Sequence, residues 1–342
     1  GSGKSYLLGV LIEELFRTKT GLVIVVDPMG IFHTLVEQNL EQEDTLWDWG
    51  LRPEEFPIRI LTPGVPEKCY GDLEVVEAMT DRGVQFARLR LNASDVSPET
   101  WCELFGFSIN DPMGICISRA IRHLKKETEH FTIEQLLQTI NKQPKVHDAT
   151  KEALSNRLED ADQWGLFNTE PNFQVDFNAL FDANYINVLD LHFLDSSRHG
   201  MRSLILSVLA RDLFKRRSAE RLREEFKLRV AMPKIWLIID EAHQFVPGGN
   251  KTSLCKDILI RWAKEGRQPG LSMVVASQQP SAIDSEILSQ CDVILSHLLT
   301  SIDDVQAVSK VAGNYSLGEI KNSIQMLART GEALFMDDLH SY

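Results

Sequence analysis

The sequence predicts an α/β fold, with a mainly parallel β-sheet and an inserted helical subdomain. Short runs of aliphatic and β-branched residues, separated by long helical stretches, occupy both ends of the chain. Continuous apolar runs of this kind are typical of strands that helices bury on both faces. The middle of the chain has dense charges and no β-branched runs, and this pattern predicts helices instead.

The strand candidates share a short apolar run bounded by turn residues. They are Leu22–Val26, Ile58–Leu61, Tyr185–Leu191, Ile235–Ile239, Leu271–Ala276, Val293–Leu295 and Glu332–Met336. A membrane-spanning helix needs about 20 consecutive apolar residues, and none of these runs approaches that length. The sequence therefore predicts no membrane span.

Helix signals follow the start of the chain and fill its middle. A first helix should begin within Gly3–Ser5 and end near Arg17. Its Leu8, Leu11 and Leu15 recur at helical spacing and would face the sheet. We expect the inserted helical subdomain over residues 92–170, where capping serines and threonines precede apolar residues at helical spacing.

The composition is ordinary for a globular chain, but its charge balance is acidic. Hydrophobic residues make up 43% and charged residues 25%, which argues against long disordered segments. The 36 basic and 49 acidic residues give a formal net charge of −13. Such a chain is poorly suited to coating nucleic acid with its whole surface, although it is compatible with a ring whose basic groups line a central channel.

The cysteine pattern indicates thiols rather than disulfides. The five cysteines, Cys69, Cys102, Cys116, Cys255 and Cys291, are odd in number and include no Cys-x-x-Cys pair. The nine histidines add no zinc-type spacing. Since no apolar secretory signal opens the sequence either, we expect reduced cysteines in a cytoplasmic protein.

Two basic stretches leave alternatives open. Residues 211–229 hold eight basic and four acidic residues on a predicted helix, which is either a solvated helix face or a nucleic-acid patch. The glycine-rich loop after Pro247 contains Lys251 and precedes Lys256. These lysines either face a DNA channel or belong to an ordinary surface loop.

The first five residues match the end of a phosphate-binding loop, G-x-x-x-x-G-K-[ST]. In Gly1, Ser2, Gly3, Lys4 and Ser5, the glycines would let backbone N–H groups curl around phosphates. The lysine would supply charge to the β- and γ-phosphates of ATP, and the second serine would offer a hydroxyl to Mg²⁺. A cloning scar is the alternative, but the amphipathic helix and apolar strand that follow favour the loop.

A strand that ends in two carboxylates provides the second half of a nucleotide site. Ile235–Ile239 is followed by Asp240 and Glu241, as in a Walker B strand. In that role Asp240 would hold Mg²⁺, directly or through water, and Glu241 would polarise the attacking water. The alternative is a buried strand that ends in two acids at a turn, which the phosphate loop in the same chain disfavours.

Asp240 to His243 also matches the box of the DEAH helicases. Those enzymes place the box about one hundred residues after the phosphate loop and add a second RecA-like domain. Here Lys4 and Asp240 are 236 residues apart, and only the residues up to Tyr342 follow. The two-domain arrangement therefore does not fit the length of the chain.

The sequence instead resembles the HerA/FtsK group of ring-shaped ATPases, and HerA in particular. The similar segments, which follow one another along nearly the whole chain, are Gly1–Ser5, Val25–Gly30, Arg59–Gly64, Asn187–Leu191, Ile239–Pro247, Ala263–Arg267 and Val274–Ser281. The resemblance implies a RecA-like phosphate-loop core in two parts, residues 1–91 and 171–342, around the helical residues 92–170.

The resemblance also implies roles for single side chains. Asp27 would lie near the nucleotide and support the water or the metal, unless it is only a turn residue before Pro28. Gln278 resembles a polar sensor that touches the γ-phosphate. Arg267 stands where these ring proteins carry a residue that reaches the neighbouring subunit's site, where it would neutralise transition-state charge. A surface helix end is the alternative for Arg267, and Arg261 is the weaker candidate.

The sequence departs from the family pattern in two positions and in its extent. Ile31 replaces an acidic residue, and Gln279 replaces the arginine of Gln-Arg-Pro-Ser, but neither change removes a primary catalytic group. Family members also have a strand that feeds the phosphate loop and, before it, a small β-barrel. This sequence includes neither, so we expect it to be a fragment of a longer protein.

The resemblance implies an ATP-hydrolysing motor that forms a homohexamer and moves double-stranded DNA through its centre. In the family this motor feeds a NurA-type nuclease during DNA end processing. Two alternatives remain, an ATPase of a conjugation or antiviral-defence system and a nucleotide-switch scaffold that gates a partner enzyme without translocating. Stimulation of ATP hydrolysis by DNA would distinguish a motor from such a scaffold.

Overall fold

The aliphatic runs form the centre of a six-stranded sheet in a computed structural model, which describes residues 3–171, 173, 180–194, 200–311 and 317–337. In chain order the strands are β1 (Leu22–Asp27), β2 (Ile58–Thr62), β3 (Gln85–Arg88), β4 (Ile186–Asp190), β5 (Ile235–Ile239) and β6 (Leu271–Val275). Their spatial order is β3-β2-β4-β1-β5-β6, and every neighbouring pair is parallel. The carboxyl ends of all six strands therefore meet at one edge of the sheet.

Helices connect these strands and follow the last of them. They are α1 (Lys4–Arg17), α2 (Glu43–Asp48), α3 (Pro66–Tyr70), α4 (Leu73–Asp81), α5 (Pro98–Phe105), α6 (Pro112–Glu127), α7 (Ile133–Asn141), α8 (Asp148–Asp162), α9 (Met201–Glu225), α10 (Lys256–Glu265), α11 (Ser285–Leu288), α12 (Ile302–Val311) and α13 (Leu317–Gln325). None of the helices in the described ranges is long and apolar enough to cross a membrane.

The two faces of the sheet have separate cores. Alternate residues of β1 point to opposite faces, as the period of a strand requires. Val23 and Val25 pack with α1 and with the residues just after β1. Leu22, Ile24 and Val26 pack in a larger core with α5 to α11. The helical segment between β3 and β4 therefore lies on the face of the sheet opposite α1.

Helix α1 buries a stripe that differs from the predicted one. Leu8 and Ile12 are its buried residues, and Leu11 is only partly buried. The interval of four residues from Leu8 to Ile12 keeps both side chains over the same side of the helix. Leu15 packs against the edge of this core, as predicted.

Two of the predicted strands lie outside the parallel sheet. Val293–Ser296 (β7) and Leu334–Asp337 (β8) pair with each other in antiparallel orientation. The predicted mainly parallel sheet is confirmed by the six-stranded sheet, and these two runs form a separate antiparallel pair beside it. Val293 and Leu295 on β7 are exposed, so this pair is not buried on both faces.

The helical segment begins with the predicted caps. Ser97 accepts a hydrogen bond from the Thr100 N–H at the start of α5. Thr132 and Gln135 form a reciprocal capping box at the start of α7. Because the helices of this segment share a core with the sheet, they are packed onto the strands as one structure.

Candidate nucleotide site

Three charged residues meet at the carboxyl edge of the sheet. Lys4 lies at the start of α1, and Asp240 and Glu241 follow β5. The Lys4 Nζ donates hydrogen bonds to Asp240 Oδ1 and, over 2.8 Å, to Glu241 Oε1. The carboxylates are almost fully buried, and the Lys4 side chain is 16% exposed. The phosphate-loop lysine and both Walker B acids therefore form one cluster.

Glu241, whose side chain belongs to this cluster, adopts an unusual backbone conformation. Its φ of 47° lies in the left-handed region, which costs a residue with a side chain about 1–3 kcal/mol. Burial alone would raise the pKa of the Glu241 carboxyl. Hydrogen bonds from Lys4 and Gln278 outweigh burial and hold the pKa below its usual value. Glu241 is therefore an ionised acceptor at neutral pH.

Gln278 and His243 complete the surroundings of Glu241. Gln278, which follows β6, donates from Nε2 to Glu241 Oε1 over 2.8 Å. The His243 Nδ1 lies 3.4 Å from Glu241 Oε2 and 3.2 Å from Ser277 Oγ. The loops after β5 and β6 thus hold the Glu241 carboxylate from two sides.

Gly3 packs against the antiparallel β7–β8 pair. It has a φ of 102°, and a Cβ at this position would lie 3.3 Å from the Gly331 Cα and 3.5 Å from the His297 Cε1. Both the backbone conformation and the close approach require glycine here. The His297 Nδ1 lies 2.8 Å from the Glu332 carbonyl oxygen, to which it donates. The phosphate loop is therefore supported by residues that follow β7 and precede β8.

The residues present fit a divalent cation such as Mg²⁺. Asp240 Oδ2 is buried without a hydrogen-bond partner in the described part of the chain, which leaves a carboxylate oxygen available. Ser5 is exposed in the first turn of α1, one residue after Lys4. Carboxylate and hydroxyl oxygens are the ligands that Mg²⁺ accepts alongside nucleotide phosphates.

Asp27 lies at the end of the strand next to that of Asp240, and its carboxylate accepts hydrogen bonds from backbone N–H groups. Its Oδ1 accepts from the N–H groups of Met29 and Gly30, and its Oδ2 accepts from Phe32 N–H. Burial raises the pKa of Asp27 above its usual value, although these bonds partly oppose the shift. The contacts give Asp27 the turn-organising role, and a catalytic role for it stays a prediction.

The structure does not bring Arg267 into this cluster. Arg267 is exposed between α10 and β6, at the amino end of that strand. The cluster lies at the carboxyl ends, so Arg267 is at the opposite edge of the sheet from its own chain's Lys4. Action on a neighbouring copy therefore stays a prediction for Arg267, with a surface helix end as the alternative. Arg261 pairs with Glu265 and covers the Phe214 ring at 4.5 Å.

Gly1 and Ser2, the other predicted loop residues, lie outside the described residues. Sequence reasoning missed His297, Gly331 and His243 as contributors to the site. His243 belongs to the motif that includes Asp240 and Glu241, so its spacing was an available signal. His297 and Gly331 carried no such signal, because only the tertiary fold brings them to Gly3.

Several basic side chains of the two stretches form ion pairs and hydrogen bonds within the chain. In residues 211–229 the structure pairs Arg216 with Asp212 and Arg217 with Glu224, both on α9. Lys256 pairs with Asp284 over 2.8 Å and donates to the Pro247 carbonyl oxygen. These contacts favour the structural interpretation of both stretches over a nucleic-acid patch.

Comparison with known proteins identifies similar sequences in archaea. Residues 1–213 match the family described as "Helicase HerA, central domain". A probable helicase of Methanocaldococcus jannaschii is 25% identical over 98% of this chain and 58% of its own length. The DNA double-strand break repair helicase HerA of Sulfurisphaera tokodaii is 24% identical over 99% of this chain and 61% of its own length. The chain thus spans about three fifths of these relatives.

A solved structure shows the same fold. VirB4 of Thermoanaerobacter pseudethanolicus aligns with a TM-score of 0.60 and 17% identity, over 99% of this chain and 85% of its own. At this identity the likeness concerns the fold alone. It agrees with the predicted RecA-like phosphate-loop architecture, with a mainly parallel sheet.

Proposed function

Because the chain belongs to the family of the HerA helicase central domain, we propose that it is the catalytic part of an ATP-driven motor that moves double-stranded DNA. The observation that carries this proposal is the convergence of Lys4, Asp240, Glu241 and Gln278 at one edge of the sheet. Lys4, the consecutive Asp240 and Glu241, and Gln278 come from three distant parts of the sequence, and a phosphate-loop ATPase needs all of these chemical groups in one place.

Each side chain has a chemical task in the proposed reaction. Lys4 is held within reach of the phosphate loop, where its charge stabilises the phosphates of ATP. Glu241 is kept ionised by its hydrogen bonds and accepts a proton from the attacking water, or orients it. Gln278 donates to the same carboxylate and positions Glu241, and the family resemblance adds the role of a sensor for the γ-phosphate.

Asp240 and Ser5 would hold Mg²⁺ at this site. When bound, the cation would neutralise negative charge on the phosphates of ATP. Nucleotide phosphates would compete with both carboxylates for Lys4, which frees Glu241 to act on water. Asp27 keeps the neighbouring turn in place and supports this arrangement.

The proposed assembly is a homohexamer around duplex DNA, with a nuclease as partner in DNA end processing. Support for the DNA substrate comes from the relatives, which are called helicases and, in one case, a DNA double-strand break repair helicase. Support for a ring comes from Arg267, whose distance from its own site suits action on a neighbouring copy. The acidic net charge of −13 disfavours binding DNA over the whole outer surface and suits a channel.

The test is the ATPase rate of the full-length protein with and without linear duplex DNA, for the wild type and for Glu241→Gln. We expect stimulation by DNA in the wild type and a loss of about 10²–10⁴-fold in Glu241→Gln, since general-base catalysis contributes on that scale. Glu265→Gln, the same change on an exposed carboxylate of α10, is the matched control and should keep the wild-type rate.

Other outcomes would select other functions. If Glu241→Gln abolished hydrolysis but DNA changed nothing in the wild type, the protein would be a nucleotide switch for a partner enzyme. Normal turnover in Glu241→Gln would contradict the site itself. Arg267→Ala is the test of the trans arginine, and full activity in that variant would remove Arg267 from the mechanism. An ATPase of a conjugation or antiviral-defence system would also be stimulated by DNA. Binding of a partner nuclease would distinguish the DNA end-processing motor from these ATPases.

A further inference from the structure

The outer face of α6 carries four exposed basic residues. Arg119, Arg122, Lys125 and Lys126 are exposed, and no ion pair involves them within the described residues. Arg119, Arg122 and Lys126 are spaced three and four residues apart and form one stripe along the helix, with Lys125 beside its end. This is unusual in a chain with 13 more acidic than basic groups.

The stripe borders a cavity of about 620 Å³ with apolar walls. Pro98, Ile109, Ile115 and Ile121 provide apolar surface, and the four cations line the same cavity together with one acid, Glu99, so the charge of the lining is net positive. Ile115 is 41% exposed. Clefts that bind ligand groups usually measure about 300–1,000 Å³. We call this surface the basic groove; its chemistry suits a segment that offers both carboxylates and a large apolar side chain.

The same chain displays a segment with that chemistry. Residues 40–51, here called the tryptophan segment, include α2 and expose Trp47 by 52% and Trp49 by 81%. Four acidic side chains accompany the indoles and take part in no ion pair among the described residues; they are Glu41, Glu43, Asp44 and Asp48. Exposed tryptophans at this density mark an interaction surface, since such residues are enriched at binding hot spots.

The two surfaces lie on opposite sides of the sheet. Gln42, within the tryptophan segment, accepts a hydrogen bond from Tyr6 on α1. The tryptophan segment therefore sits on the α1 face. The basic groove belongs to α5 and α6, which pack on the other face. A chain with complementary patches on opposite sides can join copies head to tail, and such heterologous contacts close into rings when the rotation permits.

We propose that the tryptophan segment of one copy docks into the basic groove of the next. The four unpaired carboxylates face the four unpaired cations, and an indole enters the apolar cavity. The contact would join neighbouring subunits of the proposed ring, and in that respect the inference rests on the proposed function. The charge complementarity of the two surfaces does not depend on that function. Duplex DNA is a poorer occupant, because phosphates gain nothing from the isoleucine and proline walls.

The experiment is a charge swap followed by sedimentation velocity on the full-length protein. Arg119→Glu with Arg122→Glu reverses the basic groove, and Asp44→Lys with Asp48→Lys reverses the tryptophan segment. Each reversal alone places like charges in contact, so we expect the dissociation constant of assembly to rise about 100-fold or more. The combined variant restores opposite charges and should recover assembly. Recovery cannot arise from damaged folding.

The matched control is Lys142→Glu with Lys145→Glu, which reverses two exposed cations of the same helical segment outside the groove. It should assemble like the wild type. A further variant, Trp49→Ala, should weaken assembly without changing the unfolding of the subunit.

Four results would overturn the inference. Wild-type assembly in both single reversals would exclude the contact while leaving the motor function intact, since DNA-stimulated hydrolysis is measured separately. If the combined variant did not recover assembly, the tryptophan segment and the basic groove would not contact each other. Unchanged assembly with weaker binding of duplex DNA by the groove reversal would identify DNA as the occupant. A monomeric wild type would remove the ring itself along with the contact.

Discussion

Two basic helices of the molecule, α9 and α6, use their charges in opposite ways. On α9, Arg216 and Arg221 each pair with an acid four residues away on the same helix. On α6, Arg119 and Arg122 have no acid at that distance, because the four positions are occupied by Ile115, His123, Ser118 and Lys126. The number of basic residues in a helix therefore does not predict whether they can bind a partner. The residues one turn away decide whether the basic side chains are already engaged in ion pairs within the helix.

The largest effect should come from Arg217, the buried member of the α9 set. Its side chain is 1% exposed and is held by Glu224 and, over 3.4 Å, by the Met232 carbonyl oxygen. Arg217→Met removes a buried guanidinium but leaves Glu224 28% exposed and within 3.8 Å of Arg221, so the cost should lie at the lower end of the about 3–5 kcal/mol typical of breaking a fully buried ion pair. We expect a loss of about 3 kcal/mol in the free energy of unfolding, measured by urea denaturation.

The neighbouring Arg216→Met is the control for this prediction. Arg216 pairs with Asp212, but the two side chains are 36% and 28% exposed. A pair in that environment contributes about 1 kcal/mol at most. Equal losses in Arg216→Met and Arg217→Met would mean that burial does not distinguish the two arginines, and the account of α9 would fail.

Much of the fold was predictable because it depends on local patterns. The central strands were evident as aliphatic runs, and Lys4, Asp240, Glu241 and Gln278 came from motifs whose spacing reflects their chemistry. Gln85–Arg88 (β3) was missed because this strand lies at the sheet edge and is only half-buried, so it lacks an apolar run. Edge strands carry a weaker hydrophobic signal than central ones.

The remaining features depend on contacts between distant parts of the chain. His297 reaches Gly3 only through the packing of β7, and no local pattern marks it as part of the site. The stripe on α1 was ambiguous because Leu11 and Ile12 are equally apolar, and tertiary packing selects Ile12. The unpaired state of the α6 cations became visible only with their surroundings in place.

A smaller effect should follow from giving α6 the kind of acid that α9 has. Ser118 lies four residues before Arg122, so Ser118→Glu creates a Glu–Arg pair in the favourable orientation. Such pairs contribute about 0.2–0.5 kcal/mol, and the loss of the hydroxyl bond to the Gly114 carbonyl oxygen partly offsets the gain. We expect the free energy of unfolding to rise by at most about 0.5 kcal/mol, while assembly weakens because Arg122 is engaged.

The control for Ser118→Glu is a variant that introduces glutamate at a position facing no cation. Gln138→Glu on α7 introduces the same charge elsewhere in the helical segment, beside Glu134. It should not weaken assembly. If both variants weakened assembly equally, added negative charge in general would explain the effect, and Arg122 would have no special part.

The smallest effect on stability should come from neutralising the α6 stripe itself. In Arg119→Gln, Arg122→Gln and Lys126→Gln combined, no ion pair within the described chain is lost, so folding has little to lose. Removing three neighbouring like charges also relieves repulsion along the helix. We expect the free energy of unfolding to stay within about 0.5 kcal/mol of the wild type, or to rise. A decrease of about 2 kcal/mol or more in the free energy of unfolding, which is the effect of losing a buried contact, would show that these cations stabilise the subunit. In that case α6 would resemble α9.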